Sequence, residues 1–143
     1  MAEPSWGSGV KNTAIIGRVM FGLTFVLGGL LHLTGPQYAA PQVPDMFGAP
    51  YFWVYLTGVA QLAFAASAFS GRYDRLAGWC LFAMMCVFIV TMHIPRAVGG
   101  DFMGVISTMR DFGYAGAALM YAGALAQDPR LFSWSAPRSL SEV

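Results

Sequence analysis

Two histidines and one Arg-Asp pair are the residues of this chain best suited to chemistry. His32 and His93 each lie at the end of an apolar stretch, and Arg110-Asp111 stands within the start of another. Ionisable side chains at membrane depth are costly, so they are candidates for function. The neighbouring Arg110 would keep Asp111 ionised, and this carboxylate could pair with His32 or His93. The imidazoles could then donate hydrogen bonds to a carbonyl ligand such as a quinone.

Other interpretations of these residues stay open. Each histidine could simply end a helix, with its ring hydrogen-bonded to a loop carbonyl in the membrane interface. The two rings could instead share one pocket for a quinone or another lipid-like ligand, or bracket a haem iron. Haem is the weaker expectation and no metal site is expected, because no cluster of cysteines or carboxylates accompanies the histidines. Thr108-x-x-Asp111 also fits a capping box at the start of a helix.

Gln61 is the one strongly polar side chain near the middle of an apolar segment. It could join two helices by hydrogen bonds, or form the floor of a pocket. The predicted ligand-binding residues are His32, Gln61, His93, Arg96, Arg110 and Asp111. The sequence contains no evident nucleophile triad, phosphate-binding loop or pair of catalytic carboxylates. Catalytic residues therefore stay unknown, and so does whether the protein is an enzyme.

The apolar stretch Leu76–Met92 is the element that must position His93. It carries no charge, Asn, Gln or Pro, whereas a soluble helix of that length would have a polar face. The whole chain is 57% hydrophobic and only 10% charged, against about 25% charged in soluble domains. Its net charge of +1 gives no reason to expect nucleic-acid binding. These features predict one integral membrane domain, all-α, over residues 1–143.

Four apolar segments predict a membrane four-helix bundle, at about 14–33, 51–69, 76–94 and 108–126. Residues 34–50 and 95–109 are expected to be long loops. In the first segment, Arg18 is expected to extend back to the membrane surface. Cys80 and Cys86 are too far apart along a helix for a disulfide and are expected to be small buried residues.

Helical spacing predicts which face of each segment turns inward. One inward face is Arg18, Gly22, Phe25, Gly29 and His32, and a second is Val54, Gly58, Gln61, Ala65 and Ala68. Both contain small residues, which allow close helix packing in lipid. In the third segment, the same spacing places His93 on one face with Cys86, Phe82 and Trp79.

The distribution of basic residues predicts the orientation of the chain. One side of the four spans receives Lys11, Arg18, Arg72, Arg75, Arg130 and Arg138, and the other receives Arg96 and Arg110. The positive-inside rule then places both termini in the cytoplasm. This topology gathers the candidate residues at the outer end of the bundle: His32, Asp45, His93, Arg96, Arg110 and Asp111.

The motifs resemble those of the DoxX-like membrane proteins. The resemblance runs from Arg18-x-x-x-Gly22-Leu23-x-Phe25-x-x-x-Gly29-x-x-His32, through Gly58-Val59-Ala60-Gln61-Leu62, to Arg110-Asp111 before a Gly/Ala-rich helix. It implies a four-helix bundle in the bacterial inner membrane, and some members are associated with quinone-linked redox complexes. Many members carry Glu where this chain has Gln61 and Lys where it has Arg110.

The resemblance, together with the lack of a complete catalytic set, predicts a small accessory subunit of a membrane redox complex. Its expected partners are membrane lipids and other membrane protein subunits, with quinone as the possible ligand. Two alternatives stay open: a scaffold or assembly subunit without ligand chemistry, and a b-type haem-binding electron carrier.

Overall fold

The computed structural model describes residues 7–128 and 130, and these residues form helices and turns without a strand. The longer helices are α1 (Gly7–Thr34), α3 (Pro50–Ser70), α4 (Asp74–Phe88) and α6 (Phe102–Met120). Shorter helices are α2 (Pro36–Ala39) and α5 (Ile94–Val98). Two π-helical turns, Ile89–His93 and Tyr121–Leu125, follow α4 and α6 directly.

Glycines let α1 and α3 pack closely in opposite directions. A Cβ atom on Gly29 would lie 2.9 Å from the carbonyl oxygen of Gly58, so the two backbones touch there. In the middle of α1, Gly22 lies against the ring of Phe69, which is at the end of α3. The inward face predicted for α3 is confirmed, since all five of its residues are buried.

The helices α4 and α6 form a second antiparallel pair. Gly78 at the start of α4 lies against Ala118 and Ala122, whereas Gly104 at the start of α6 lies against Arg96 and Ala97. One hydrophobic core joins the two pairs. Its buried residues are Phe25, Phe64, Ala65, Ala68, Leu81, Met85, Ile89, Ala115, Ala118 and Tyr121.

Both predicted loops contain more helix than expected. Residues 34–50 include α2 and two short 3₁₀ turns, Ala40–Gln42 and Asp45–Phe47. The prediction of a long loop over 95–109 is wrong: helix continues through Pro95 to Val98, and α6 begins at Phe102. A π turn ends two residues before Pro95, so the regular hydrogen-bond ladder is already interrupted where proline would break it.

The predicted capping box at Thr108 is also wrong. Thr108 lies inside α6, where its hydroxyl donates to the carbonyl oxygen of Gly104 at 2.8 Å. The residue that caps α6 is Asp101, whose side chain accepts a hydrogen bond from the backbone N–H of Met103 at 2.9 Å.

Cys80 is exposed and Cys86 is half-buried, both as free thiols, so the expectation that both are buried is wrong. They turn away from the face of α4 that packs on the core, which carries Gly78, Leu81 and Met85.

Three of the described helical segments are long and apolar enough to cross a membrane: Asn12–Thr34, Pro50–Ser70 and Asp74–Val98. The fourth apolar segment of the sequence, which lies in α6 and the π turn after it, is not among them. The protein is therefore all-helical in its described part, with three candidate membrane spans.

A buried carboxylate joins the helices at the end of the bundle opposite His93. Asp74, at the start of α4, is fully buried and accepts hydrogen bonds from Tyr121 Oη and from the backbone N–H groups of Gln127 and Asp128. The guanidinium of Arg18 lies 3.5 Å from Asp74 Oδ2. Asp74 therefore holds the end of α6 against the start of α4.

Arg18 does not extend to the surface as predicted. Its guanidinium donates to the carbonyl oxygens of Ala68 in α3 and Leu125 in the second π turn, and it lies over the ring of Tyr121. The carbonyl groups at a helix C-terminus lack partners within their own helix and attract cations. Arg18 thus joins the end of α3 to the π turn that follows α6.

Asp128 ties the connector before α4 to the end of the described chain. It accepts a hydrogen bond from the backbone N–H of Tyr73 at 3.0 Å and forms an ion pair with Arg130 at 2.8 Å. The pKa of Asp128 is well below its usual range. The hydrogen bond from the Arg130 side chain is the largest cause, and the one from the backbone N–H of Tyr73 is the second.

Replacing Asp74 by asparagine is expected to destabilise the fold strongly. The change keeps the shape, but it leaves Arg18 buried without its counter-charge and turns one acceptor oxygen into a donor group. Breaking a buried pair in this way costs about 3–5 kcal/mol. Reversible unfolding in mixed micelles, followed by circular dichroism, measures the loss.

Asp45→Asn is the matched control, because Asp45 is exposed on a 3₁₀ turn. Its free energy of unfolding should change by no more than about 0.5 kcal/mol. Equal stability of the two variants would contradict the structural role of Asp74.

Candidate functional site

His93 lies in the bundle interior because of the π turn that carries it. The buried side of α4 runs through Leu81 and Met85, and it continues through Ile89 to His93. A π turn holds one more residue than an α turn, so it rotates the following residues relative to a regular helix. His93 is only 4% exposed as a result.

The face predicted for His93 is therefore wrong. Trp79 is exposed, and Phe82 and Cys86 are half-buried, so these residues do not share the interior position of His93. Regular helical spacing led to this prediction, and the extra residue in the π turn makes it fail.

His93 and Asp111 form a buried pair between α4 and α6. His93 Nε2 lies 3.0 Å from Asp111 Oδ2, and both side chains are about 5% exposed or less. The other carboxylate oxygen, Oδ1, accepts a hydrogen bond from Nε of Arg110 at 2.8 Å. One oxygen of Asp111 therefore accepts from a ring N–H, and the other accepts from a guanidinium. The sequence left open whether Asp111 pairs with His32 or with His93, and the structure shows the pair with His93.

The second ring nitrogen of His93 has no partner among the described residues. Nδ1 is buried and makes no hydrogen bond within this part of the chain. Because Nε2 donates to Asp111, Nδ1 of a neutral ring is an acceptor, and Nδ1 of a protonated ring is a donor. The carboxylate at Nε2 fixes the orientation of the ring, so Nδ1 is the ring nitrogen whose hydrogen-bonding capacity is unused among the described residues.

Arg96 is engaged away from this pair. Its guanidinium forms hydrogen bonds with Asp101 Oδ2 at 2.8 Å and with Gln42 Oε1 at 2.9 Å. It thereby ties the region before α3 to the turn before α6. The hydrogen bond from Arg96 holds the pKa of Asp101 below its usual value.

His32 and Gln61 lie at the interface of the other helix pair. His32 Nδ1 donates to the carbonyl oxygen of Gly28 at 2.7 Å, and its Cβ packs against Gly58. Gln61 is buried against Gly28, where a Cβ atom would come within 2.3 Å of its Oε1. Gln61 therefore occupies space that glycine leaves open, as expected of a residue that packs two helices together.

The structure thus places the six predicted site residues in three places. Asp111 contacts both His93 and Arg110. His32 and Gln61 lie between α1 and α3, and Arg96 pairs with Asp101. No hydrogen bond or ion pair among the described residues links His32 to His93. Within that part of the chain, no group of three or more His, Cys, Asp or Glu residues could hold a metal ion.

The pairing of Arg18 with Asp74 was missed by sequence reasoning. The signal was present, since Arg18 lies inside an apolar segment and Asp74 directly precedes another. Two opposite charges expected at the same membrane depth are candidates for a pair. The expectation that Arg18 extends to the membrane surface hid this contact.

Residues 21–101 match the family model described as a domain of unknown function, DUF8561. The chain belongs to this family. The matched range includes His32, Gln61, His93 and Arg96 and ends before Arg110 and Asp111. No curated protein and no solved structure matches the chain.

A double-mutant cycle between His93 and Asp111 is expected to give a large coupling energy. His93→Gln and Asp111→Asn should each destabilise the protein, and the double variant should lose less than the sum. Contacting buried residues typically couple by about 0.5–3 kcal/mol, and this pair is expected in the upper half of that range. The measurement is the free energy of unfolding in mixed micelles.

A cycle between His32 and Asp111 serves as the control, because these residues have separate hydrogen-bond partners. Its coupling should stay within about 0.5 kcal/mol. Strictly additive losses for His93 and Asp111 would show that their contact does not contribute to stability.

Proposed function

We propose that this protein is a DoxX-like accessory subunit of a quinone-linked redox complex in the bacterial inner membrane. It crosses the membrane four times, with both termini in the cytoplasm. Its ligand site is centred on His93, with Asp111 and Arg110 holding the ring in place. Other subunits of the complex carry the redox centres.

Helix lengths and charge support the four-span topology. Three spans meet the length and composition expected of membrane helices. The fourth is formed by the 19 residues of α6 and the five of its π turn, which reach roughly 36 Å, enough to cross a hydrocarbon layer of about 30 Å. Arg18 lies at the end of the bundle where the basic residues gather, and Arg96 lies at the other.

The observation that carries the ligand proposal is the buried His93–Asp111 pair with Nδ1 of His93 unpartnered among the described residues. Ionisable groups that pair inside a membrane bundle commonly mark ligand or proton sites. The π turn that carries His93 belongs to a class of distortion that is frequent at functional sites.

The pair suits the head group of a quinone. In the neutral ring, Nδ1 can accept a hydrogen bond from a quinol hydroxyl. After protonation, Nδ1–H can donate to a quinone carbonyl, while the Asp111 carboxylate stabilises the imidazolium. Arg110 donates a hydrogen bond to the same carboxylate. In this proposal the protein binds the quinone and exchanges a proton with it, and the other subunits carry out the electron transfer.

The chain has two histidines, so ring-¹⁵N histidine labelling tests the proposal with few signals. Titration of the purified protein in nanodiscs with ubiquinone-1 is expected to shift the Nδ1 resonance of His93 in a saturable manner. The His32 resonances should stay unchanged, and His32→Gln assigns them. Asp111→Asn should weaken the binding by about tenfold or more, because it removes the charge that supports the ring.

A shift that grows linearly with quinone content, or no shift at all, would count against a ligand site at His93. If the complex keeps its activity after His93→Ala, the scaffold function is favoured instead. A Soret band in the absorption spectrum of the purified protein would favour the haem-binding carrier.

A further inference from the structure

Arg110 stands out on the outward surface of α6. Its side chain is 51% exposed, and only Nε has a partner among the described residues, the carboxylate of Asp111. A guanidinium carries five N–H donors, so four of them extend from the protein without a described partner. Arg110 lies about 12 Å along the helix axis from the start of α6 at Phe102.

The face of α6 around this guanidinium is apolar. Helical spacing sets Met103, Ile106, Gly113 and Ala117 on the same face of α6 as Arg110, and we call these five residues the Arg110 stripe. Met103 and Ile106 are exposed, and a Cβ atom on Gly113 would meet nothing within 4 Å. The Arg110 stripe therefore has a cation in its middle. Toward the C-terminal end of α6, it has open space at Gly113.

The exposed face of α1 is built differently. Its outward residues are bulky and aliphatic: Ile16, Met20, Leu23, Leu27 and Leu31. Such a surface suits lipid tails, whereas a cation facing lipid tails is costly. The composition of α6 agrees with this contrast, because α6 is not among the helices apolar enough to count as candidate spans. The Arg110 stripe thus needs a cover other than lipid tails.

We propose that the Arg110 stripe docks a transmembrane helix of another protein, and that this helix carries an Asp or Glu at the depth of Arg110. The carboxylate pairs with the free N–H groups of the guanidinium, and the partner backbone approaches closely at Gly113. This rests on the proposed function, since α6 must span the membrane.

Charge decides among the occupants of this surface. In a two-fold contact between copies of this chain, the two Arg110 side chains would approach each other, and like charges across an interface are unfavourable. A lipid phosphate lies at the headgroup level, whereas Arg110 is set well inside α6 and is held there by Asp111. A carboxylate on a partner helix is the group that matches both the charge and the depth.

Gly113→Leu tests the docking surface without disturbing the chain itself. Open space surrounds this position, so the variant should fold and unfold as the wild type does. The added side chain would hold the partner helix away. In mild-detergent purification from native membranes, recovery of the partner is expected to fall by about tenfold or more.

The matched control is Gly17→Leu, since Gly17 in α1 also has open space around it but lies on the lipid-facing helix. Recovery of the partner should not change. A photo-crosslinker at Met103 should join the partner through a peptide that contains a transmembrane Asp or Glu. Replacing that acid by its amide should reduce recovery as Gly113→Leu does.

Three outcomes would overturn the proposal. The first is a complex that survives Gly113→Leu. The second is a homodimer that is lost in this variant, and the third is a monomer whose bound phospholipid disappears with Arg110→Met but not with Gly113→Leu. The His93 resonances are measured in the same preparations. Saturable quinone shifts without docking would contradict the docking surface and support the ligand site. Docking without such shifts would refute the ligand site alone.

Discussion

The fold depends on the neutralisation of buried charge at both ends of the helix bundle. Asp74 accepts hydrogen bonds from a tyrosine and two backbone N–H groups while Arg18 supplies the counter-charge. The helices α1, α3 and α4 and the π turn after α6 all contribute to this cluster or to the carbonyl groups that Arg18 binds. A buried charge without a partner is strongly unfavourable. The cluster therefore specifies how the helix ends meet. Apolar side chains alone would specify this arrangement less well, because their contacts are not directional.

Regular helical spacing was sufficient to predict the packing of the first helix pair. The inward face of α3 is entirely buried. On the face predicted for α1, Gly22, Phe25 and Gly29 are buried, whereas Arg18 and His32 are half-buried. These helices contain no internal distortion, so a repeat of 3.6 residues holds along their length. The contact between Gly29 and Gly58 follows from the same pattern, because glycine permits backbones to touch.

The second pair could not be predicted in the same way. The π turn at Ile89–His93 rotates His93 onto the buried side, and its hydrogen-bond pattern has no clear signature in side-chain types. Pro95 then suggested the end of a helix that in fact continues to Val98. Because α6 also starts earlier than expected, Asp111 moved from a supposed helix start to the middle of a helix. The candidate residues were identified correctly as polar groups in an apolar chain, but their partners depended on a local distortion.

Adjacent positions on α6 connect the interior of the bundle with its surface. Successive residues of an α-helix are turned by about 100°, so Asp111 can face His93 while Arg110 faces outward. One carboxylate serves both neighbours through its two oxygens. A proton at His93 adds a positive charge next to Asp111, and a partner carboxylate would add a negative charge next to Arg110. Any such coupling between the two proposed binding events is equal in both directions, because binding free energies are linked. Under the proposed function, ligand binding at His93 and partner docking at Arg110 would then affect each other through the two oxygens of a single aspartate.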